Sequence, residues 1–542
     1  RDAAGNVMHA TMVEKLLVLL LAKLTNLVPE GGIWMNTQRP EWNDANNALA
    51  GKGLSVVTAA YLRRFLAFWK ERLASSEPES YAVNEAVVRL FNQVQRTFVA
   101  YQDHLDSGFS DQARRAIMDE LGMAAAAYRT ALYEKGLTPA KRQISSRQLY
   151  DFLTLSLDYI EQTLYANWRQ DGLAHSYNTL HISDREAAVE KLYLMLEGQV
   201  AFLSSGILEP EEGLALLQKL RQSDLYRGDL HTYMLYPNRT LPGFFQKNNI
   251  SAAQLAGSAL AAALIEAGDS RLLIRDEDGV YHFNGAFHNA GDVGAALDDL
   301  AEEAPYTDLV ETDRVFILKL FESTFSHREF TGRSGTFFAY EGLGSVYWHM
   351  VSKLLLAAQE SYQQAVDQEA DPTLTARLAK VYYDIRRGLG FNKSPAEYGA
   401  FPADPYSHTP MGGGARQPGM TGQVKEEILT RFGELGVSIR RGALSFKPTL
   451  LKEEEYLPEV SSFTFVDTTS KAANISLPPN SLAFTICQTP VIYVLAESSK
   501  IDVLFKDGRT ETISGCSLDT VTSQHIFDRD GQIEMLWVSV ES

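Results

Sequence analysis

"LSVVTAAYLRRFLAFWKERL", residues 54–73, places apolar side chains at three- and four-residue steps, with Arg63, Arg64, Lys70 and Glu71 on the other side. That period belongs to an amphipathic helix with one buried face. Upstream, "MVEKLLVLLLAKLTNLV" (12–28) is apolar almost all round, which suits a helix enclosed by neighbours. Its longest apolar run, Leu16 to Ala22, is too short to span a bilayer. Further helical periods occur near 80–105, 110–134, 148–168, 184–204, 210–222, 251–267, 311–325, 343–366, 373–388 and 423–435, separated by loops bearing Gly and Pro. After Gly442 the pattern changes to short alternating runs, "FTFVDT", "SLAFTICQ", "VIYVLAE", "KIDVLFKDG" and "IEMLWVSVE", which read as antiparallel strands. The expected fold is mainly α: a toroid of paired helices over 1–435, with a helical insertion near 78–180, followed by a small C-terminal β-sandwich over 436–542.

Composition narrows the function. Lys+Arg 50 against Asp+Glu 68 gives a formal charge of -18, which argues against nucleic acid and against an anionic membrane as partners. A neutral carbohydrate or small metabolite fits better. The two cysteines, Cys487 and Cys516, make no disulfide framework; they lie in one C-terminal segment and either pair across strands or, in the plainer reading, are buried thiols in a reducing compartment, so a cytoplasmic location is expected. Among 11 His and two Cys there is no His-x-x-x-His or Cys-x-x-Cys pair, and no metal is implied. Nucleophile-elbow, Rossmann and P-loop signatures are also missing.

Three stretches collect the residue types that chemistry needs. In "EWNDANN" (41–47), the Trp42 indole is suited to stack on a pyranose, and Asp44 beside it is suited to donate a proton to a leaving glycosidic oxygen. The same residues equally suit a turn that caps the following helix. In "YEGLGSVYWH" (340–349), Glu341 lies on a Gly-rich turn and His349 opens an apolar helix. A buried His bonded to a backbone carbonyl is the plainer reading there. In "GGGARQPGMTGQVKEE" (412–427), Thr421, Gly422 and Gln423 start a helix whose free N–H groups suit phosphate or carboxylate, or simply an N-cap. A fourth stretch, "DLHTYMLYPNRTLPGFF" (229–245), lines a sugar cleft in one reading and a packed Pro turn in the other.

Together, Glu41-Trp42-Asn43-Asp44, the Glu341 to His349 turn and Met420-Thr421-Gly422 resemble, in order and spacing, the catalytic half of inverting glycoside phosphorylases of the cellobiose phosphorylase type, glycoside hydrolase family 94, and related β-1,3-glucan phosphorylases. The resemblance implies an (α/α)6-barrel-like toroid with a C-terminal β-sandwich cap, and a longer protein of which this is the C-terminal part. It implies Asp44 as general acid, Trp42, Glu341 and Gln423 as substrate-binding residues, and His349, Thr421 and Gly422 as phosphate-binding residues. The reaction implied is phosphorolysis of a β-linked glucoside or β-glucan to α-glucose 1-phosphate, with inorganic phosphate as co-substrate and no further cofactor. A homodimer is left open. The other readings are an inverting hydrolase, for which Glu426 is the nearest base, and a non-catalytic carbohydrate-binding or interface fragment.

Overall fold

The computed structural model describes residues 7–36, 49–74, 79–136, 138–237, 243–325, 346–389, 408–409 and 421–541. The chain divides into two compact units, Arg1–Met350 with Lys393–Pro418, and Val351–Asn392 with Gly419–Ser542.

The first unit is built around three packed helices, Val56–Ala74, Ser146–Tyr165 and Leu196–Ser205. Val56–Ala74 buries Val56, Ala59, Ala60, Leu62, Leu66, Trp69 and Leu73, the stripe expected from its sequence. Every residue of Leu196–Ser205 is buried, so this helix is enclosed on all sides. Each buried Leu or Phe contributes roughly 1.5–3 kcal/mol of transfer free energy. Caps fix the helix starts. Thr11 accepts the Glu14 N–H at 3.2 Å at the head of Met12–Leu24. Ser145 and Gln148 form a reciprocal capping box ahead of Ser146–Tyr165.

A five-stranded antiparallel sheet lies beside these helices in the order Leu27–Val28, Gly32–Trp34, Gly53–Ser55, Tyr177–Ile182, Ala187–Lys191. The helix expected over 184–204 is therefore two elements. Ala187–Lys191 pairs with Tyr177–Ile182, and only from Leu196 does the chain turn helical. Its Ala, Glu and Lys favour a helix locally, and the cross-strand partner overrides them. The expected 80–105 helix likewise begins with a strand, Ser80–Asn84, paired with Lys141–Ser145. Asn84 then caps Glu85–Ala100 by accepting the Ala86 N–H at 3.0 Å.

The turn between the first two strands holds a buried polar node. Glu30 has φ 62, a left-handed conformation that a residue with a Cβ adopts at a cost. Six bonds offset it. Its N–H donates to the Thr163 hydroxyl at 3.2 Å, and its carbonyl accepts from Asn167 Nδ2 and Lys191 Nζ, both at 3.0 Å. Its carboxylate accepts from Arg114 at 2.8 Å, Gln162 at 3.0 Å and the Phe109 N–H at 3.2 Å.

Residues 243–325 form a module with a hydrophobic core of its own. Leu260, Leu264, Phe283, Leu297, Ile317, Phe321 and Phe325 converge from the helices Ala259–Ala267, Ala290–Ala301 and Thr307–Phe325 and the hairpin Leu273–Arg275/Tyr281–Phe283, joined by Ile250, which bridges to Tyr281. Asp313 is buried in it, accepting from the Ser258 hydroxyl at 2.7 Å and the Leu260 N–H at 2.8 Å, and so ties one helix to the start of another. Asp313→Ala leaves both donors without their acceptor and is expected to destabilise the module by about 2 kcal/mol, read as an earlier unfolding transition in urea.

Within the module, His282 bridges the Asn248 carbonyl and the Asp276 carboxylate, the latter at 3.0 Å. Burial opposes the charged ring, but these two bonds outweigh it, and the His282 pKa is raised. A raised pKa in the folded state means a stabilising contribution that is complete below about 6.5 and disappears as pH rises through the folded value. The module is therefore expected to melt at a lower temperature at pH 8 than at pH 6. His282→Gln flattens that dependence.

The second unit combines helices with a β structure. Asp371 caps Pro372–Gly388, accepting the Thr373 N–H at 2.7 Å, with Pro at the first helical position. Thr421–Glu434 leads into a five-stranded sheet ordered Ser481–Ile486, Thr489–Ala496, Ile533–Glu541, Lys500–Phe505, Thr510–Ser514. The sheet is mixed: Thr489–Ala496 and Ile533–Glu541 run parallel, where antiparallel pairing was expected throughout. The connection between them includes the helix Thr520–Asp528, the kind of crossover that parallel strands require. Its core gathers Val491, Tyr493, Ile501, Val503, Leu536 and Val538. Among the described residues no helix is long and apolar enough to cross a membrane.

Candidate active site

The segment that carries Trp42 and Asp44 falls in sequence between two paired strands. Gly32–Trp34 and Gly53–Ser55 are in antiparallel register, Ile33 opposite Ser55 and Trp34 opposite Leu54. Beyond them the stem continues through Met35 N–H to the Gly53 carbonyl at 2.9 Å and Gly51 N–H to the Met35 carbonyl at 2.7 Å. The Trp34 indole N–H donates to the Gly51 carbonyl at 3.1 Å, and Asn36 Nδ2 donates to Asn26 Oδ1 at 2.6 Å. Gly53 is required here, since a Cβ would stand 2.5 Å from that of Leu49. Both ends of the segment are thus fixed. Trp42 and Asp44 themselves lie outside the described residues, as does Glu341.

From this stem a row of helix starts can be followed by hydrogen bonds. Ser55 Oγ accepts the Thr58 N–H at 2.9 Å and caps Val56–Ala74. The Val56 and Val57 N–H groups donate to the Ser176 carbonyl at 3.0 and 3.3 Å. Ser176 Oγ accepts the Gly198 N–H at 2.7 Å, linking the start of Leu196–Ser205. Gly198 has no room for a side chain, because a Cβ would lie 2.6 Å from Ser176 Oγ. The Leu196 N–H donates to the Leu235 carbonyl at 3.0 Å, which brings in the hairpin Tyr226–Arg227/Thr232–Tyr233. Protein acceptors therefore occupy these donors at both helix starts. The two starts act as framework, and an anion finds these N–H groups already bonded.

The hairpin strand Thr232–Tyr233 lies against Val346–Tyr347, which pairs with His408–Thr409. His349 follows two residues later, at the start of Trp348–Asp367. It is buried, with its ring edge-on to Tyr347 at a centroid distance of 5.2 Å. The row thus runs from the stem of the Asp44 segment to the turn that carries His349.

In the second unit, Thr421, Gly422 and Gln423 open the helix Thr421–Glu434, as expected, while their side chains lie outside the described parts. Glu426 follows in that helix, buried and paired with Lys425 at 3.2 Å. At its other end Glu434 is buried among cations, accepting from Arg386 at 2.8 Å and Arg431 at 2.9 Å, with the Tyr382 hydroxyl at 2.7 Å. Burial first, and the Glu434 charge next, push the Tyr382 hydroxyl far above its usual range, so it stays a proton donor. This cluster anchors the helix that Thr421 begins.

The hairpin at 226–233 overlaps the start of the 229–245 stretch and adds Arg227, which the sequence reading did not single out. Arg227 is buried and held by Asp229 through Nε at 3.0 Å and Nη2 at 3.0 Å. Bonding from Arg227 lowers the Asp229 pKa, keeping the carboxylate charged. The Gly-Asp turn between two Tyr-bearing runs was the available signal. Among the described residues no cluster of three or more His, Cys, Asp or Glu side chains could hold a metal ion.

Residues 241–328, which span the module with its own core, match the family model of the GH149 phosphorylase insertion domain 2. No curated protein matches the chain. The match supports a glycoside phosphorylase without singling out the cellobiose phosphorylase type. The matched stretch, 241–328, is one that the sequence pattern alone runs together with the toroid helices.

Proposed function

We propose that the chain carries the catalytic machinery of an inverting phosphorylase acting on a β-linked glucoside or β-glucan oligosaccharide. The observation that carries this reading is the match of residues 241–328 to the GH149 phosphorylase insertion domain 2 model, in a chain whose Trp42-x-Asp44 segment lies in sequence between two paired strands. Asp44 protonates the glycosidic oxygen while Trp42, Glu341 and Gln423 hold the sugar. His349, Thr421 and Gly422 hold inorganic phosphate for attack at C1 from the opposite face. Inversion of the β-linkage then yields α-glucose 1-phosphate, and phosphate itself is the nucleophile, so no second carboxylate is needed as base. The fold proposed for it is an (α/α)6-barrel-like toroid with a C-terminal β-sandwich cap, in a cytoplasmic protein.

Burial of Glu426 keeps an inverting hydrolase as the second reading, because Glu426 is the carboxylate nearest in sequence to the Thr421-Gly422 pair and could serve as the base. The reverse reaction separates the two. A phosphorylase given α-glucose 1-phosphate and glucose or a short β-glucan releases inorganic phosphate and lengthens the acceptor. A hydrolase leaves α-glucose 1-phosphate intact, releases no inorganic phosphate and lengthens no acceptor.

A further inference from the structure

The hairpin Tyr226–Arg227/Thr232–Tyr233 carries a polar pair that its own surroundings do not satisfy. Arg227 and Thr232 are directly opposite in register, so their side chains share one face of the ribbon, and Tyr226 and Tyr233 share the other. Arg227 is 6% exposed and Thr232 is 1% exposed. Arg227 Nη1 and Thr232 Oγ1 have no hydrogen-bond partner among the described residues. A single buried orphan of this kind is a packing defect. Two facing each other across a hairpin make a place for a third group.

We propose that Arg227 Nη1 and Thr232 Oγ1 form a subsite for a hydroxyl of the bound glucoside. The chemistry of the pair selects that ligand. Arg227 Nη1 can only donate, and Thr232 Oγ1 can donate or accept. A sugar hydroxyl accepts from the first and exchanges a bond with the second, which a phosphate dianion cannot do without facing the nearby carboxylate. The Arg227 charge is already matched by Asp229, at 3.0 Å from Nε. A neutral ligand therefore meets a neutral ion pair, whereas an anion finds no net positive charge to balance its own. Position agrees. The hairpin adjoins both the start of Leu196–Ser205 and the strand that precedes His349. The subsite rests on the glycoside phosphorylase reading, and it supplies sugar contacts from a segment outside the three motifs.

The test is Thr232→Val in the full chain, read by KM, by Kd for laminaribiose and cellobiose, and by thermal unfolding. Valine keeps the shape and the β-strand preference, and it removes a hydroxyl that has no partner in the folded protein, so the melting temperature stays level or rises. KM and Kd rise about 5-fold, the worth of one hydrogen bond, with a smaller change in kcat. Thr232→Ser, which retains the hydroxyl, raises them less than Val does. A purely structural threonine gives the opposite result, lower stability with KM and Kd unmoved, and that overturns the subsite while leaving phosphorolysis standing. Turnover without any phosphate requirement changes the reaction class, and the Kd shift still decides the subsite. A wild-type chain that neither binds nor cleaves either disaccharide overturns both.

Discussion

Asp44→Asn is expected to lower the rate of disaccharide phosphorolysis about 10³-fold, with KM changed by no more than about 2-fold, because general acid catalysis contributes in that range. The amide keeps the shape and the hydrogen-bonding reach of the carboxyl but has no proton to give to the departing oxygen. A factor of 10³ corresponds to about 4 kcal/mol of transition-state stabilisation. The loss should depend on the leaving group. An aryl β-glucoside, whose phenolate departs without protonation, should retain far more of its rate in the variant than a disaccharide does. The alkaline limb of the pH–rate profile, which reports loss of the acid's proton, should vanish with the carboxyl. A uniform loss across both substrates would instead mark a binding defect.

Arg114→Ala is expected to destabilise the first unit by about 2–3 kcal/mol, below the range for a fully buried ion pair because Glu30 keeps some contact with water. The Arg114 side chain is 9% exposed and that of Glu30 is 21%. Beyond its 2.8 Å bond to Glu30, Arg114 donates to the Phe109 carbonyl at 2.7 Å and the Ala187 carbonyl at 3.1 Å, and it pairs with Asp111. Truncation leaves the Glu30 carboxylate with its neutral donors alone and two carbonyls without theirs. Urea unfolding followed by tryptophan fluorescence reads the loss as a lower midpoint. The turn at Glu30 directly precedes the strand Gly32–Trp34 that carries the Asp44 segment, so kcat should fall with the stability. Arg114→Lys keeps the charge but not the fork of donors, and should recover only part of the loss.

Helices with one apolar stripe were legible in the sequence. Val56–Ala74 and Pro372–Gly388 each announce a buried face, and the second also announces its cap through Asp371 and Pro372. The C-terminal strands were legible from their alternation, as at Lys500–Phe505, where burial alternates residue by residue. Pairing was not. Nothing local in Ala187–Lys191 distinguishes it from a helix, because its strand character comes from Tyr177–Ile182. Nothing in Thr489–Ala496 reveals a parallel neighbour beginning at Ile533. The module at 243–325 was hidden for a related reason. Its helices have ordinary periods, and what sets it apart is that their apolar faces meet one another, as Leu297 and Phe321 do in one core.

The candidate site shows the same division. Trp42, Asp44, Glu341 and the Thr421-Gly422 pair were singled out by residue type and order, which sequence displays directly. The contacts that would hold such residues in place are long-range and carry no motif: Ser176 joining two helix starts, Trp34 closing the stem at Gly51, Arg227 facing Thr232. Local sequence names chemistry more readily than it names the frame on which chemistry is mounted.

The most direct test of the central claim is to follow inorganic phosphate by ³¹P NMR while the protein acts on laminaribiose, cellobiose and a short β-glucan. The phosphate resonance should decline as an α-glucose 1-phosphate resonance grows in equal amount, with no sugar released when phosphate is left out. Free glucose appearing at the same rate with and without phosphate, and no sugar phosphate signal, would contradict the claim.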